Sequence, residues 1–436
     1  MTGVLYGKNG RTDDLLVRSA RVIDPGERID ALLDVRVDAG VITEIGLDVA
    51  SNGHRVVEGR GLVLAPAFVD PHVHLRTPGR EDEETIASGS AAAAAGGFCA
   101  ILAMPNTEPI VDSAAVLGSL VEAAREHAEV QVGFLAAITK GQESEELTEM
   151  VELADAGAAG FSDDGRPVVA PGLMRRALQY HGLTGRRIAV HCEEPTLSHG
   201  GQMHEGEVSA ELGFSGYPSV AESVMVGRDL MLAAYEDQPI HLLHLSARES
   251  VELLHRAQAD GLRATAEATP HHLVFTDEAV RSLDANLKMN PPLRSAKDRA
   301  ALVEAVRDGT IGVIATDHAP HARHEKDVPF EEAPFGVTGL ETAFAALNTN
   351  LVARGLVPLP TLLERMSAGP ARAYGLEPPR IAVGAPANLV LLDPEAAWQV
   401  GDGGFRSRSS NSWLLGETLR GKVRLTVAAG RVAYRG

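Results

Sequence analysis

The sequence has only two cysteines among its 436 residues, Cys99 and Cys192, and they lie far apart in apolar surroundings. Two cysteines cannot build the disulfide framework of a small secreted domain. The first fourteen residues also lack the apolar run of a secretory signal peptide. We therefore expect a protein of the reducing cytoplasm.

Positive charge is scarce, because 40 Lys and Arg stand against 59 Asp and Glu, a formal net charge of −19. No stripe of basic residues that could bind a phosphate backbone is present, so we expect no nucleic acid partner. Long apolar runs are also missing. The least polar stretch, residues 91–105, is too short and too rich in glycine to span a bilayer, so we expect no membrane partner.

The sequence does contain eight short apolar runs between residues 66 and 374. They alternate with amphipathic helical patterns, and eight successive βα units are typical of the α/β class and of a (β/α)8 barrel of TIM type. The eight runs cover residues 67–75, 97–104, 130–138, 158–164, 187–194, 239–246, 263–272 and 311–320.

The two ends of the chain have a different pattern. Residues 1–65 and 375–436 contain short runs rich in β-branched residues and punctuated by Gly and Asp-Pro, which is typical of strands. Neither end has enough apolar strands to close a core alone. We therefore predict that both ends pair into one composite β-sandwich domain, with a catalytic barrel of residues 66–374 inserted between them.

Residues that could bind a metal ion follow most of the eight runs. His72 and His74 lie at positions i and i+2 of the first run, so both side chains point to one side of a strand. His191 and His244 end the fifth and sixth predicted strands, and Asp317 ends the eighth. In a barrel these strand ends meet at one mouth. Because imidazole and carboxylate are typical zinc ligands, the pattern predicts Zn²⁺ at this mouth.

Two metal ions roughly 3.5–4 Å apart need an anionic group between them. The fourth run ends in Asp163 and Asp164, and either carboxylate suits this position. A carbamylated lysine, the other common bridge in such barrels, is not available there. No lysine occurs between Lys140 and Lys288.

The eighth run continues into a histidine-rich segment. Asp317 opposes the two histidine groups in a barrel, so we expect it to bind a metal ion and to act as general acid and base. A helix N-cap or a turn carboxylate is the structural alternative for this residue. His321 lies four residues further along and could reach a substrate carboxylate.

Nine segments are spread over nearly the whole chain: FVDPHVHLRTPG, GGFCAILAMPNT, GFSDDG, VHCEEP, HLLHLSA, EATPHHL, MNPPLR, IATDHAPH and PFGVTGLET. In this order and spacing they resemble the cyclic amidohydrolase branch of the amidohydrolase superfamily, and the type I bacterial dihydroorotases in particular. The sequence departs from this family at Thr77, where members usually have Glu, and at Ala67, where Gly is usual.

The resemblance implies two Zn²⁺ ions per subunit, bridged by a carboxylate and a hydroxide. Asp164 rather than Asp163 matches the bridging carboxylate, because it precedes His191 by 27 residues (191 − 164 = 27). The other ligands that the resemblance implies are His72, His74 and Asp317 for one ion and His191 and His244 for the other. The residues similar to those that bind the substrate are Arg76, Asn106, Asn290, His321, Phe335 and Gly336.

The resemblance also implies an activity, the reversible conversion of N-carbamoyl-L-aspartate to (S)-dihydroorotate and water in de novo pyrimidine biosynthesis. Asp317 is the implied catalytic residue. A homo-oligomer and an association with aspartate transcarbamoylase are further expectations.

Two other functions stay open at this point. Hydantoinases, dihydropyrimidinases and allantoinases share the barrel and the His-x-His pair, but they typically use a carbamylated lysine and lack the pair of Arg76 and Asn106. A non-catalytic scaffold of aspartate transcarbamoylase would be expected to have lost metal ligands. All six candidate ligands are present here.

Overall fold

The structure, a computed structural model, describes residues 3–8 and 10–436. In chain order, strands β1 to β18 run over Leu15–Asp24, Ile29–Asp38, Val41–Gly46, Arg55–Glu58, Val63–Pro66, Phe68–Val73, Phe98–Ala103, Gln131–Ala136, Gly160–Ser162, Arg187–Val190, Met203–His204, Gly216–Tyr217, Ile240–Leu242, Ala264–Ala268, Val313–Ile314, Leu389–Gln399, Thr418–Ala428 and Arg431–Arg435.

The α-helices lie mainly between the strands of the middle of the chain. Helices α1 to α14 run over Ile86–Gly96, Ala114–His127, Met150–Asp155, Pro171–Thr184, Pro195–Ser198, Glu207–Leu212, Val220–Glu236, Arg248–Ala259, Pro270–Val274, Ala296–Asp308, Arg323–Lys326, Ala343–Leu347, Leu359–Met366 and Ala368–Ala373. Short 3₁₀ turns occupy Lys140–Gln142, Asp277–Ser282 and Ala285–Leu287, and a π turn occupies Asn348–Val352.

Eight parallel strands form a nearly closed barrel in the order β6-β7-β8-β9-β10-β13-β14-β15. Each of the eight apolar runs contains one of these strands. The first and last strands meet through a parallel bridge between Val73 and His318, where the His74 N–H donates to the His318 carbonyl at 2.8 Å. The predicted (β/α)8 barrel is therefore confirmed.

The barrel is joined next to its mouth by a buried carboxylate. Asp70 on β6 accepts the His72 N–H at 3.1 Å and the Thr316 N–H at 3.2 Å, and it also accepts the Thr316 hydroxyl at 2.5 Å. Burial raises the pKa of Asp70 to about 7. These bonds fix the exit of the first strand against the exit of the last strand, and the predicted ligands His72 and Asp317 stand there.

Both chain ends join in one mixed sheet of eight strands, in the order β18-β17-β16-β5-β1-β2-β3 with β4 beside β1. The antiparallel pairing of β5 with β16 places Leu64 opposite Leu391 and connects the two ends. Apolar side chains of this sheet, Val17 and Val35 among them, form a core separate from that of the barrel. A β-domain built from both ends is confirmed as one hydrogen-bonded sheet, and its boundaries stay a prediction.

The helices are delimited by sequence features that the chain carries locally. Thr85 caps α1 and Ser295 caps α10, each with a capping box that satisfies free N–H groups of the first turn. Gly97 and Gly309 end the same two helices at φ of +94° and +98°, a conformation that favours glycine. Among the described helices, none combines the length and the apolar character that a membrane span needs.

Candidate metal centre and substrate site

The six predicted metal ligands lie together at the carboxyl ends of the barrel strands, and all six are buried. Asp164 is at their centre. Its Oδ1 lies 3.6 Å from His72 Nε2 and 3.5 Å from both His191 Nδ1 and His244 Nε2. Its Oδ2 lies 3.5 Å from His74 Nε2. One carboxylate thus faces four imidazoles.

Asp317 also contacts the His-x-His pair. Its Oδ1 is 3.1 Å from His74 Nε2 and 3.4 Å from His72 Nε2. The ligand atoms of His72, His74 and Asp317 all lie within 4.8 Å of one another, and so do those of His72, Asp164 and His244. The structure therefore has two adjoining groups of ligand atoms.

Two buried atoms at this centre, His72 Nε2 and Asp164 Oδ1, have no hydrogen-bond partner over residues 3–8 and 10–436. Leaving a buried polar atom unsatisfied costs about 1–3 kcal/mol. A divalent cation between the two groups would satisfy both atoms, and nitrogen with carboxylate oxygen is a donor set that Zn²⁺ accepts. The residues present therefore fit a metal centre.

Glu267 contacts His72 from the side away from Asp164, and it was not predicted from the sequence. Its Oε1 is 2.6 Å from His72 Nδ1, and its Oε2 is 3.0 Å from His241 Nε2. Burial opposes its ionisation, but His72 and His241 outweigh burial and lower its pKa to about 2. A carboxylate on the far nitrogen of a ligating histidine fixes the ring and its tautomer. In the described hydrogen bonds, the partners of the His241 ring are Glu267 and the Thr265 hydroxyl.

Glu193 has the same relation to His191. Its Oε2 is 2.7 Å from His191 Nε2 and accepts a hydrogen bond from Asn290 Nδ2 at 3.0 Å. Although burial opposes ionisation, the His191 contact lowers the pKa of Glu193 to about 2. Glu193 therefore joins a candidate metal ligand to a candidate substrate-binding residue.

The two adjacent aspartates after the fourth strand have different partners. Asp163 Oδ1 accepts the N–H groups of Ile138 at 2.7 Å and of Thr139 at 3.1 Å, and the Thr139 hydroxyl donates to Oδ2. Burial raises the pKa of Asp163 to about 6. Asp163 holds the exit of the third barrel strand, and this leaves Asp164 to face the histidines.

The predicted carboxylate-binding residues Arg76 and Asn106 line the same mouth. Arg76 Nε donates to the Pro320 carbonyl at 3.1 Å and lies 3.0 Å from Glu83 Oε2. Asn106 Oδ1 is 2.9 Å from His74 Nδ1. Asn106 thus orients a candidate ligand, and both residues keep their substrate role as a prediction.

Of the remaining predicted substrate residues, His321 and Phe335 contact each other, whereas Gly336 and Asn290 have other partners. His321 Nε2 lies 2.8 Å from the Phe335 carbonyl, and the Gly336 N–H donates to the Lys288 carbonyl at 3.0 Å. Burial and the charge of Arg76 lower the pKa of His321 to about 3. Asn290 Oδ1, by contrast, is buried without a partner among the described residues.

Three residues of the mouth have a left-handed backbone although none is glycine. The φ angles are +57° at Arg76, +30° at His244 and +49° at Asp317. Such conformations cost free energy and cluster at functional sites, where the surrounding structure enforces them. Each of the three residues follows a barrel strand, so the strain lies where the ligands converge.

Solved structures with the same fold indicate the class of protein. The structure matches the L-hydantoinase (dihydropyrimidinase) of Arthrobacter aurescens with a TM-score of 0.86 and 26% identity, over 97% of this chain and 96% of that chain. The dihydropyrimidinase of Brevibacillus agri matches with a TM-score of 0.84 and 22% identity, over 97% and 95%. The fold and the site together define a metal-dependent cyclic amidohydrolase.

Sequence relatives give the family within this class. The dihydroorotase of Geobacter metallireducens is 43% identical over 97% of this chain and 100% of its own length. That of Pelotomaculum thermopropionicum is 46% identical over 97% and 98%. The model of the "Dihydro-orotase-like" family matches residues 61–250. The chain belongs to the dihydroorotase family.

Proposed function

We propose that this protein is a dihydroorotase, which opens and closes the cyclic amide of (S)-dihydroorotate in de novo pyrimidine biosynthesis. The convergence of six ligand side chains around Asp164 carries the proposal. Arg76, a cation for the anionic substrate, lies at the same mouth. Membership in the family supports the choice of substrate.

The proposed metal centre contains two zinc ions. When bound, such ions polarise a carbonyl and lower the pKa of a coordinated water to roughly 7. Asp164, whose carboxylate faces all four histidines, would be the ligand shared by both ions. The residues that would hold the ions are His72, His74 and Asp317 for one, and His191 and His244 for the other.

Asp317 moves the proton in this proposal. Burial opposes ionisation of Asp317, but His72 and His74 outweigh burial and hold its pKa well below the usual range, so it starts as an anion. In ring opening, Asp317 takes a proton from the attacking water and delivers it to the departing ring nitrogen. Ring closure reverses both transfers.

The substrate carboxylate is bound by Arg76, Asn106 and His321. A guanidinium binds a carboxylate through two parallel N–H groups, which fixes orientation as well as charge. Asn290 and the backbone of Phe335 and Gly336 would contact the pyrimidine ring. This arrangement distinguishes dihydroorotate from hydantoin and allantoin, which lack the carboxylate.

The test is ring opening by purified protein supplemented with zinc, with dihydroorotate, hydantoin and allantoin as parallel substrates. We expect fast and selective loss of dihydroorotate. Preference for hydantoin would identify a hydantoinase instead. Bound zinc without turnover of any of the three would favour a non-catalytic scaffold. Metal content is measured on the same sample.

Three further expectations stay predictions: a homo-oligomer, association with aspartate transcarbamoylase, and residence in the cytoplasm. Light scattering of the purified protein, alone and mixed with the transcarbamoylase, measures the first two. Fractionation of cells that express the protein measures the third.

A further inference from the structure

A buried carboxylate lies just outside the metal centre, between two arginines and a histidine. Glu83 has no exposed side-chain surface, and its Oε2 lies 3.0 Å from Arg76 Nε. Its Oε1 lies 2.7 Å from Arg80 Nη2 and 3.1 Å from His321 Nδ1. One carboxylate therefore touches two of the three residues proposed to bind the substrate carboxylate.

This cluster is an ion-pair network and not a further metal site. Ligand atoms of Glu83, His321 and Glu325 do lie within 4.8 Å of one another. However, Arg76 and Arg80 already supply a positive charge for each carboxylate, and Arg80 pairs with Glu325 as well as with Glu83. A divalent cation would have to displace or repel both guanidinium groups.

The contacts of Arg76 with the described residues are made by its Nε atom and not by its two Nη groups. Within the described chain, its hydrogen bond to the Pro320 carbonyl and its ion pair with Glu83 both use Nε. The two Nη groups are the edge that binds a carboxylate in bidentate geometry. Anchoring Nε in advance means that less side-chain freedom is lost when a carboxylate binds.

The residue that follows Arg76 does not provide this anchor. Thr77 carries no charge, and its hydroxyl is buried without a partner among residues 3–8 and 10–436. The anionic group beside Arg76 comes instead from Glu83, seven positions along the chain (83 − 76 = 7). The left-handed backbone at Arg76, φ +57°, turns the chain at this point.

We propose that Glu83 is a positioning residue that fixes Arg76 and His321 for the substrate carboxylate. The inference rests on the proposed function, in which those two side chains bind that carboxylate. Glu83 contacts none of the six candidate metal ligands, Asp317 included, in the described hydrogen bonds and ion pairs. Its loss should therefore weaken substrate binding and spare the proton transfer.

The first test is the Glu83→Gln variant of the zinc-loaded protein, which keeps the shape and removes the charge. We expect KM for dihydroorotate and for carbamoyl aspartate to rise roughly 10- to 100-fold, because His321 loses its hydrogen bond to a charged partner and Arg76 loses its ion pair. We expect kcat to change less than about threefold, because proton transfer is left intact. Orotate, which carries the same carboxylate, should bind more weakly by a similar factor in calorimetry.

Asp82→Asn is the matched control, because Asp82 is the exposed acid directly before Glu83. It should leave KM, kcat and zinc content unchanged. Glu83→Asp should recover part of the affinity, since it restores the charge at a shorter reach. If Glu83→Gln fails to fold, as judged by circular dichroism, Glu83→Asp against Asp82→Asn tests the same expectation.

A double-mutant cycle with Arg76→Lys separates this inference from the proposed function. If Glu83 acts through Arg76, the double variant should have a KM no higher than about that of the worse single variant. Two outcomes would overturn the role of Glu83. One is a KM of the double variant that equals the product of the two single effects, and the other is a normal KM in Glu83→Gln while Arg76→Lys is impaired. A normal KM in Arg76→Lys would instead refute the proposed carboxylate site itself.

Discussion

Buried carboxylates occur both in the sheet of the chain ends and at the barrel mouth, and their surroundings are opposite. In the sheet, Asp34 accepts the Ser19 N–H at 2.8 Å and the Val49 N–H at 3.0 Å. At the mouth, Asp164 faces four imidazoles, and its Oδ1 has no hydrogen bond from any described residue.

The difference distinguishes carboxylates that stabilise the fold through hydrogen bonds from carboxylates that are available to bind a ligand. Asp34 offsets the cost of its burial with two backbone bonds, so its contribution is present in the folded chain alone. Asp164 recovers that cost only when a cation binds, because binding to the folded state stabilises it. Asp163, which satisfies two backbone N–H groups, shows the first behaviour one residue away from Asp164.

The largest effect should come from Asp317→Asn. The variant should fold and keep at least one zinc ion, but kcat should fall by about three orders of magnitude or more, because a ligand and a proton carrier are both impaired. Steady-state turnover and metal analysis on one sample measure this. Turnover near the wild-type rate would show that the proton moves through another group.

Alanine substitutions at Asp163 and at Asp164 test the same difference in two adjacent residues. Asp164→Ala should hold fewer than two zinc ions per subunit and lose most activity. Asp163→Ala should retain zinc but lower the free energy of unfolding by about 1–3 kcal/mol, since buried N–H groups lose their acceptor. Zinc content and urea denaturation of the zinc-free proteins measure the two effects. The reverse outcome would exchange the two roles.

Asp34→Ala tests the sheet alone. We expect a loss of about 1–3 kcal/mol in the free energy of unfolding, because the N–H groups of Ser19 and Val49 are left without their acceptor. Zinc content, kcat and KM should equal those of the wild type at a temperature where both are folded. A change in KM would mean that the sheet positions the mouth.

The smallest effect concerns Lys326, whose Nζ donates to the carbonyls of Ala285 at 3.0 Å and Pro334 at 2.7 Å. Burial and the charge of Lys288 lower its pKa from 10.5 to about 7. Because the folded value lies below the unfolded one, the unfolded chain binds more protons between pH 7 and 10.5, and stability rises with pH in this window.

Lys326→Met should remove that rise, seen as a flatter pH dependence of the urea midpoint. The exposed Lys297→Met is the control, and it should follow the wild-type curve. Equal slopes for Lys326→Met and the wild type would show that Lys326 keeps its proton throughout the window.

Most of the fold could be predicted from the sequence, because parallel strands buried on both faces leave apolar runs of recognisable length. The run at residues 311–320 nevertheless contains only the two-residue strand Val313–Ile314. The regular strand ends after Ile314, since Asp317 has a positive φ and the Thr316 N–H bonds to Asp70 rather than to a neighbouring strand. His318 then rejoins the barrel through its bridge to Val73.

The candidate metal ligands at the strand ends could be predicted from the sequence. The carboxylates that position those ligands were much harder to predict. The residue types alone did not separate Asp163 from Asp164, because the difference lies in contacts with Ile138 and Thr139. Glu193 had a signal, its i+2 spacing from His191, and Glu267 had another, a carboxylate within the apolar strand ATAEA. Glu83 had none, since it lies in a charged segment where only the tertiary structure shows which acid is buried.

The hydrogen bonds between Asp70 and Thr316, which join the first barrel strand to the last, have a consequence for synthesis of the chain on the ribosome. The two residues are 246 positions apart. At about 5–20 residues per second, a ribosome needs roughly 12–50 s to make that length of chain. During this time the nascent His-x-His pair has neither Asp317 nor the closing strand beside it. The complete set of six candidate ligands can therefore assemble only late in translation, because Asp317 is the last of them to be made.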